Sequence, residues 1–150
     1  MEKEIVYRTT FEILKVKEAT GEKVQSPKEV ADQFKNEAYG DREAMYVLHL
    51  NSKQRIIEKE LVALGALNVS SICPREIFKK AILNSANGIL TVHNHPSGDL
   101  EPSEDDKSIW RLLNKIGKWL GIPVIDHLIV SSKGYLSATE AGLMEKTTNG

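Results

Sequence analysis

A single cysteine, Cys73, occurs among 150 residues, so the chain can form no internal disulfide and no zinc site made of thiolates alone. One thiol suits a reducing compartment. No apolar stretch approaches the roughly 20 residues of a membrane span, and no basic start precedes an early apolar run. An excess of one charge is missing too: 20 Lys plus Arg face 21 Asp plus Glu, a formal net charge of -1. That balance lacks the basic surplus of a domain that grips phosphates non-specifically, so nucleic acid is not the expected partner. There is no low-complexity linker and no internal repeat. What remains is ordinary globular composition, 41% hydrophobic and 27% charged, in a chain long enough for one core. The expectation is a soluble, cytoplasmic, single domain over residues 1–150, with 145–150 as a frayed tail.

Alternating apolar residues over 4–17 predict extended structure, with a turn at Thr20 and Gly21. Ser26 before Pro27 reads as a helix start, with Val30, Ala31 and Phe34 forming an apolar stripe that Gly40 ends, so a helix is expected over 27–39. A nearly continuous apolar run over 44–50 turns at 51–53 into a second run over 54–64, a hairpin. Ile77, Phe78, Ala81 and Ile82 have helical spacing after Pro74, and a strand follows over 89–95. Ser103 caps a longer helix, whose stripe from Ile109 to Leu120 ends at Gly121; strands follow over 123–130 and 135–138. Strands interleaved with helices, together with hairpins, predict an α/β fold with a mixed sheet flanked by helices.

The stretch Thr-Val-His-Asn-His-Pro-Ser-Gly-Asp-Leu-Glu-Pro-Ser-Glu-Asp-Asp, 91–106, carries the chemistry. Residues two apart on a strand share a face, so His93 and His95 can point into one cavity while Val92 and Asn94 face the other way. A catalytic zinc takes three protein ligands and keeps a position for water. Asp106, three residues beyond Ser103, can supply the third ligand if the first helical turn faces back to the strand end. The same Ser103 and Asp106 also suit a capping box, with acids favoured by the helix dipole, so spacing alone leaves both readings open. A zinc-bound water needs a separate carboxylate as base. Glu58, Glu60 and Glu76 have ordinary explanations as strand or helix surface charges.

The order His-x-His, seven residues, Ser, two residues, Asp resembles the JAMM or MPN-plus metalloprotease motif. The wider His-Asn-His-Pro-Ser-Gly with Pro-Ser-x-x-Asp resembles its RadC-type branch, as do Pro-Arg-Glu-Ile-Phe-Lys-Lys-Ala at 74–81 and Asp126-His127. The resemblance implies a JAB/MPN fold, which is cytidine-deaminase-like, and a zinc metallohydrolase cutting a peptide or isopeptide bond in a peptide or protein. It implies zinc on His93, His95 and Asp106, with Glu43 as general base and Ser103 steadying the oxyanion. A deaminase reaction is not expected, because its Pro-Cys-x-x-Cys ligands are absent. An upstream helix-hairpin-helix region of the kind that RadC-type proteins carry is not expected in this chain. The alternatives are a nucleic-acid module of DNA repair or mobile elements and a non-catalytic MPN scaffold. His49 and His127 read as satisfied core histidines, His127 with the better claim to support the site. Asp99 and Glu101 read as loop charges, Cys73 as small and buried, and Trp110 and Trp119 as core or interface packing.

Overall fold

The computed structural model describes residues 21–145. The expected strand over 4–17 lies outside the described residues, as does most of the expected tail. Strands β1 (Ala44–Leu50), β2 (Ile56–Leu64), β3 (Gly88–Asn94), β4 (Val124–Ser131) and β5 (Gly134–Ser137) form one sheet in the order β2-β1-β3-β4-β5. Among the described strands only β3 and β4 pair in parallel, through the crossover that contains the long helix; the other pairs are antiparallel. The expected α/β fold with a mixed sheet is the one found.

Helices α2 (Pro74–Leu83) and α3 (Glu104–Leu120) cover one face, burying Ile77, Phe78, Ile109 and Leu113 against Met45, Val47 and Ile89. Helix α1 (Pro27–Asp32) and a 3-10 turn at Glu37–Tyr39 cover the other face, where Val30, Phe34 and Ala38 meet Leu48, Leu90, Val92 and Leu128. Alternation along β3 therefore sorts its side chains cleanly: Ile89, Thr91 and His93 toward α3, Leu90, Val92 and Asn94 toward α1.

Three local expectations need correction. The helix expected over 27–39 stops at Asp32, and the chain continues in shorter turns, with Phe34 N–H on Ala31 O at 2.9 Å and Ala38 N–H on Phe34 O at 2.9 Å. The N–H groups of Gln33 and Phe34 bond three residues back, to Val30 O and Ala31 O, which tightens the chain into 3-10 geometry while Phe34 and Ala38 both stay buried. The second hairpin run begins at Ile56, because Asn51 Oδ1 accepts from the N–H groups of Lys53 and Arg55 and Gln54 takes a positive φ of 58°. Cys73 is exposed: it occupies the N-cap position of α2, and Ile72 fills the interior beside it. Of the two tryptophans, Trp110 is core and Trp119 is exposed beneath Lys115 Nζ at 5.0 Å from its ring centroid.

Gly117 lies inside α3, where alanine would ordinarily gain about 1 kcal/mol of helix propensity. A Cβ there would sit 2.6 Å from Ile122 O and 3.4 Å from Phe78 Cζ, in the turn that returns the chain to β4. A backbone carbonyl cannot step aside as a side-chain tip can. Gly117→Ala is therefore expected to destabilise the fold by about 1–2 kcal/mol despite its propensity gain, read from urea midpoints. A stabilised variant would contradict the packing described.

Candidate metal centre

His93 ends the α3-facing row of β3, opposite Met45 of β1. His95 lies one residue past the strand, its N–H donating to Val130 O at 2.9 Å so that it extends the β3–β4 edge. The chain then reverses: Gly98, at φ 83°, donates its N–H to His95 O at 3.0 Å, and Ser131 Oγ donates to Gly98 O at 3.0 Å. The left-handed φ explains the glycine. This short loop brings the first turn of α3 back over the histidines.

Ser103 and Asp106 cap the helix, and the Asp106 carboxylate also touches both histidines. Ser103 Oγ accepts from Asp106 N–H at 3.0 Å, and Asp106 Oδ2 accepts from Ser103 N–H at 2.8 Å, a complete capping box. The same carboxylate reaches His93 Nδ1 through Oδ1 at 3.2 Å and His95 Nε2 through Oδ2 at 3.3 Å. The two imidazoles meet edge to face, with ring centroids 4.6 Å apart. Asp106 is only 3% exposed. Burial opposes its ionisation, but hydrogen bonds from His93, His95 and the Ser103 N–H hold the carboxyl well below the usual range.

His95 Nδ1 lies 2.8 Å from Asp99 O, and a carbonyl only accepts, so Nδ1 carries the proton. In the neutral ring, Nε2 is then a lone pair facing a carboxylate oxygen. Two acceptors at that distance need a cation between them. With none, a proton serves: the Asp106 hydrogen bond raises the His95 pKa, burial opposes, and the Asp99 carbonyl reinforces the rise. His93 Nε2 is buried with no hydrogen-bond partner. An orphaned imidazole nitrogen beside a second lone pair and an anionic carboxylate suits a borderline metal such as zinc.

Among the described residues, the side chains that could together hold an ion are Glu43, His93 and His95, a group that does not include Asp106. The β1–β3 register, carried two residues beyond the Met45–His93 pair, sets Glu43 opposite His95. Glu43, His93 and His95 each present a ligating atom, all within 4.8 Å of one another. The Glu43 carbonyl accepts from Gly65 N–H at 2.8 Å, and its Oε2 accepts from Leu67 N–H at 3.1 Å.

The other acids stand apart. Glu58 and Glu60 pair in register with His49 and Val47, and His49 lies four residues, about 13 Å, along β1 from Met45. Glu58 binds Lys80 at 3.0 Å and Asn84 at 2.7 Å; Glu60 lies 3.4 Å from His49. Glu76 is on the surface with Arg75 at 3.3 Å. The Asp99 and Glu101 side chains are exposed, and it is the Asp99 backbone carbonyl that touches the site, a role no residue type signals. His127 is a satisfied core histidine: Nδ1 pairs with Thr91 Oγ1 at 2.6 Å, Nε2 with Asn114 Oδ1 at 3.0 Å, and the ring stacks on Trp110. Burial pushes its pKa down to about 3, so it stays neutral. It packs behind the histidines through Thr91, two residues before His93.

With this fold and site, the RadC-like JAB domain family model matches residues 24–143. Curated relatives, each called UPF0758 protein, include one from Finegoldia magna, 49% identical over 76% of this chain and 52% of the relative. One from Pelodictyon phaeoclathratiforme is 42% identical over 81% of the chain and 55% of its own length, and one from Staphylococcus carnosus is 43% identical over 82% and 55%. The chain belongs to the RadC-like JAB domain family, and its mixed sheet and helices agree with that domain. It spans about half the length of the curated relatives it matches. Among the described residues, no helix is long and apolar enough to cross a membrane.

The two shifts give the metal-free site its own contribution to the pH dependence of stability. The raised His95 contributes stability below the ordinary imidazole value of about 6.5 and loses it as pH rises through the folded value. The depressed Asp106 contributes above about 3.9 and loses it only as pH falls through its folded value. The buried neutral His127 acts oppositely, costing stability as pH falls below about 6.5, but it does so equally in parent and variant. Chelator-treated parent should therefore lose more urea midpoint between pH 5.5 and pH 8.5 than Asp106→Asn does, the variant lacking the His95 contribution. Added zinc should reverse that difference, because the metal competes with the histidine proton. An equal loss in Asp106→Asn would detach the histidine from this carboxylate.

Proposed function

We propose that the chain is a zinc-dependent metallohydrolase of JAMM type that cleaves an amide bond, peptide or isopeptide, in a peptide or protein substrate. One observation carries the reading: Glu43, His93 and His95 converge within 4.8 Å, with the buried Asp106 carboxylate on both imidazoles. His93, His95 and Asp106 would hold the ion, three protein ligands being the complement of a catalytic zinc. Zinc bound there supplies Lewis acidity, polarising the scissile carbonyl and making a water nucleophilic near neutral pH.

The chain does the rest. Glu43 has one carboxylate oxygen steadied by Leu67 N–H, which leaves the other to take the proton of the attacking water and return it to the departing amine. Ser103 uses an oxygen lone pair in the helix cap, so its hydroxyl proton is left to donate to the oxyanion of the tetrahedral stage. Asp99 O fixes the His95 tautomer that offers Nε2 to a metal, a standard arrangement around metal-ligating histidines. Near-neutral charge argues against a nucleic-acid module as the primary role.

Protein purified without added metal is expected to carry one zinc per chain by elemental analysis. It should keep that zinc when diluted to a monomer, since strand, loop and helix are contiguous in sequence. His95→Ala and Asp106→Ala should each lose most of the zinc while retaining the folded circular-dichroism spectrum. Glu43→Gln should keep the zinc but lose about 10² to 10⁴ in turnover of a peptide or isopeptide-linked substrate. Zinc lost from Glu43→Gln and kept in Asp106→Ala would make Glu43 the third ligand and Asp106 only a cap. A parent protein without metal would favour the scaffold reading.

A further inference from the structure

We infer that Asn94, the residue between the two histidines, is a positioning residue that sets Glu43 against them; this rests on the reading of Glu43 as the base. Asn94 is buried and faces α1, away from the metal centre. Its Oδ1 accepts from Ala44 N–H at 2.6 Å, and its Nδ2 donates to Arg42 O at 2.9 Å. Those are the backbone groups on either side of Glu43. A planar amide that satisfies both fixes the path of the chain through Glu43.

The clamp stands where the backbone ladder gives out. The β1–β3 register ends at Met45 and His93, and beyond it His95 N–H donates to β4 and gives Glu43 no backbone partner. The tethers at Gly65 and Leu67 come from beyond β2, on the far side of β1 from the histidines. Asn94 thus couples the base to the backbone that carries His93 and His95. The neighbouring backbone is shaped to admit it: a Cβ on Gly40 would stand 3.2 Å from Asn94 Nδ2 and 3.1 Å from Glu37 O. No aspartate can replace it fully, because a carboxylate keeps the acceptor for Ala44 N–H but opposes Arg42 O with a second acceptor.

The test pairs Asn94→Leu, close in volume and without either hydrogen bond, with Glu43→Gln. The expected crystal structure of Asn94→Leu has the Glu43 carboxylate withdrawn beyond 4.8 Å of the histidine nitrogens that it now approaches. Loaded with cobalt(II), Asn94→Leu should show the visible spectrum of Glu43→Gln, and combining the two substitutions should change the spectrum no further. Turnover should fall about 10- to 100-fold, in kcat rather than KM, the usual worth of a group that orients a metal site. Asn94→Asp should lie between parent and Asn94→Leu, and it carries the same two readouts if Asn94→Leu does not fold. A Glu43 that stays in place, or spectral changes that add independently, would overturn the inference and leave Asn94 a structural clamp. A parent protein that takes up no cobalt would instead sink the hydrolase reading, while the crystal structure would still decide the clamp.

Discussion

A carboxylate buried to 3% exposure has to be compensated, and the way Asp106 is compensated organises the structure around it. Its two oxygens take one backbone N–H and two imidazoles, while its own N–H goes to Ser103. Removing any of these partners would leave an uncompensated charge inside the protein, which is far more costly than losing a surface ion pair. The interaction therefore does two jobs with one side chain. It fixes where α3 starts, and it fixes which way the histidine strand end faces.

The remaining framework follows from that fixed point. With α3 anchored at its first turn, Ile109 and Leu113 reach the sheet, and Trp110, one turn beyond Asp106, stacks on His127 beside Thr91 on the α3 face. On the other face, Asn94 and the packing of Phe34 and Ala38 hold the segment that leads into β1. A buried centre backed by packed elements on both faces can keep donors at set distances without a ligand to arrange them, which is what preorganisation requires of a site.

Much of this is legible in the residues because its signals are local. Period-two alternation placed His93 and His95 together, the Ser103 and Asp106 spacing marked the helix start, and Gly121 marked its end. Local signals also set the limits. The stripe Val30, Ala31, Phe34 is helical in pattern, yet the helix stops at Asp32 and shorter turns lay Phe34 and Ala38 on the sheet, which an apolar stripe cannot tell from a continued helix. Cys73 looks like a core residue by type, but the N-cap position turns it outward. Glu43 could be singled out only through family likeness: its nearness to His95 depends on strand pairing across about fifty residues, and no spacing along the chain encodes it. The contacts from Asp99 O and Leu67 N–H are backbone groups, invisible to any reading of side-chain types.

The central claim is that His93, His95 and Asp106 together hold one metal ion. X-ray data collected on either side of the zinc absorption edge, from crystals of protein purified without added metal, test it most directly. The account predicts a single anomalous peak bonded to His93, His95 and Asp106 at about 2.0–2.2 Å, with the Glu43 carboxylate nearby but not bonded. No peak at this position, or one bonded to Glu43 while Asp106 keeps only its place in the capping box, would contradict it.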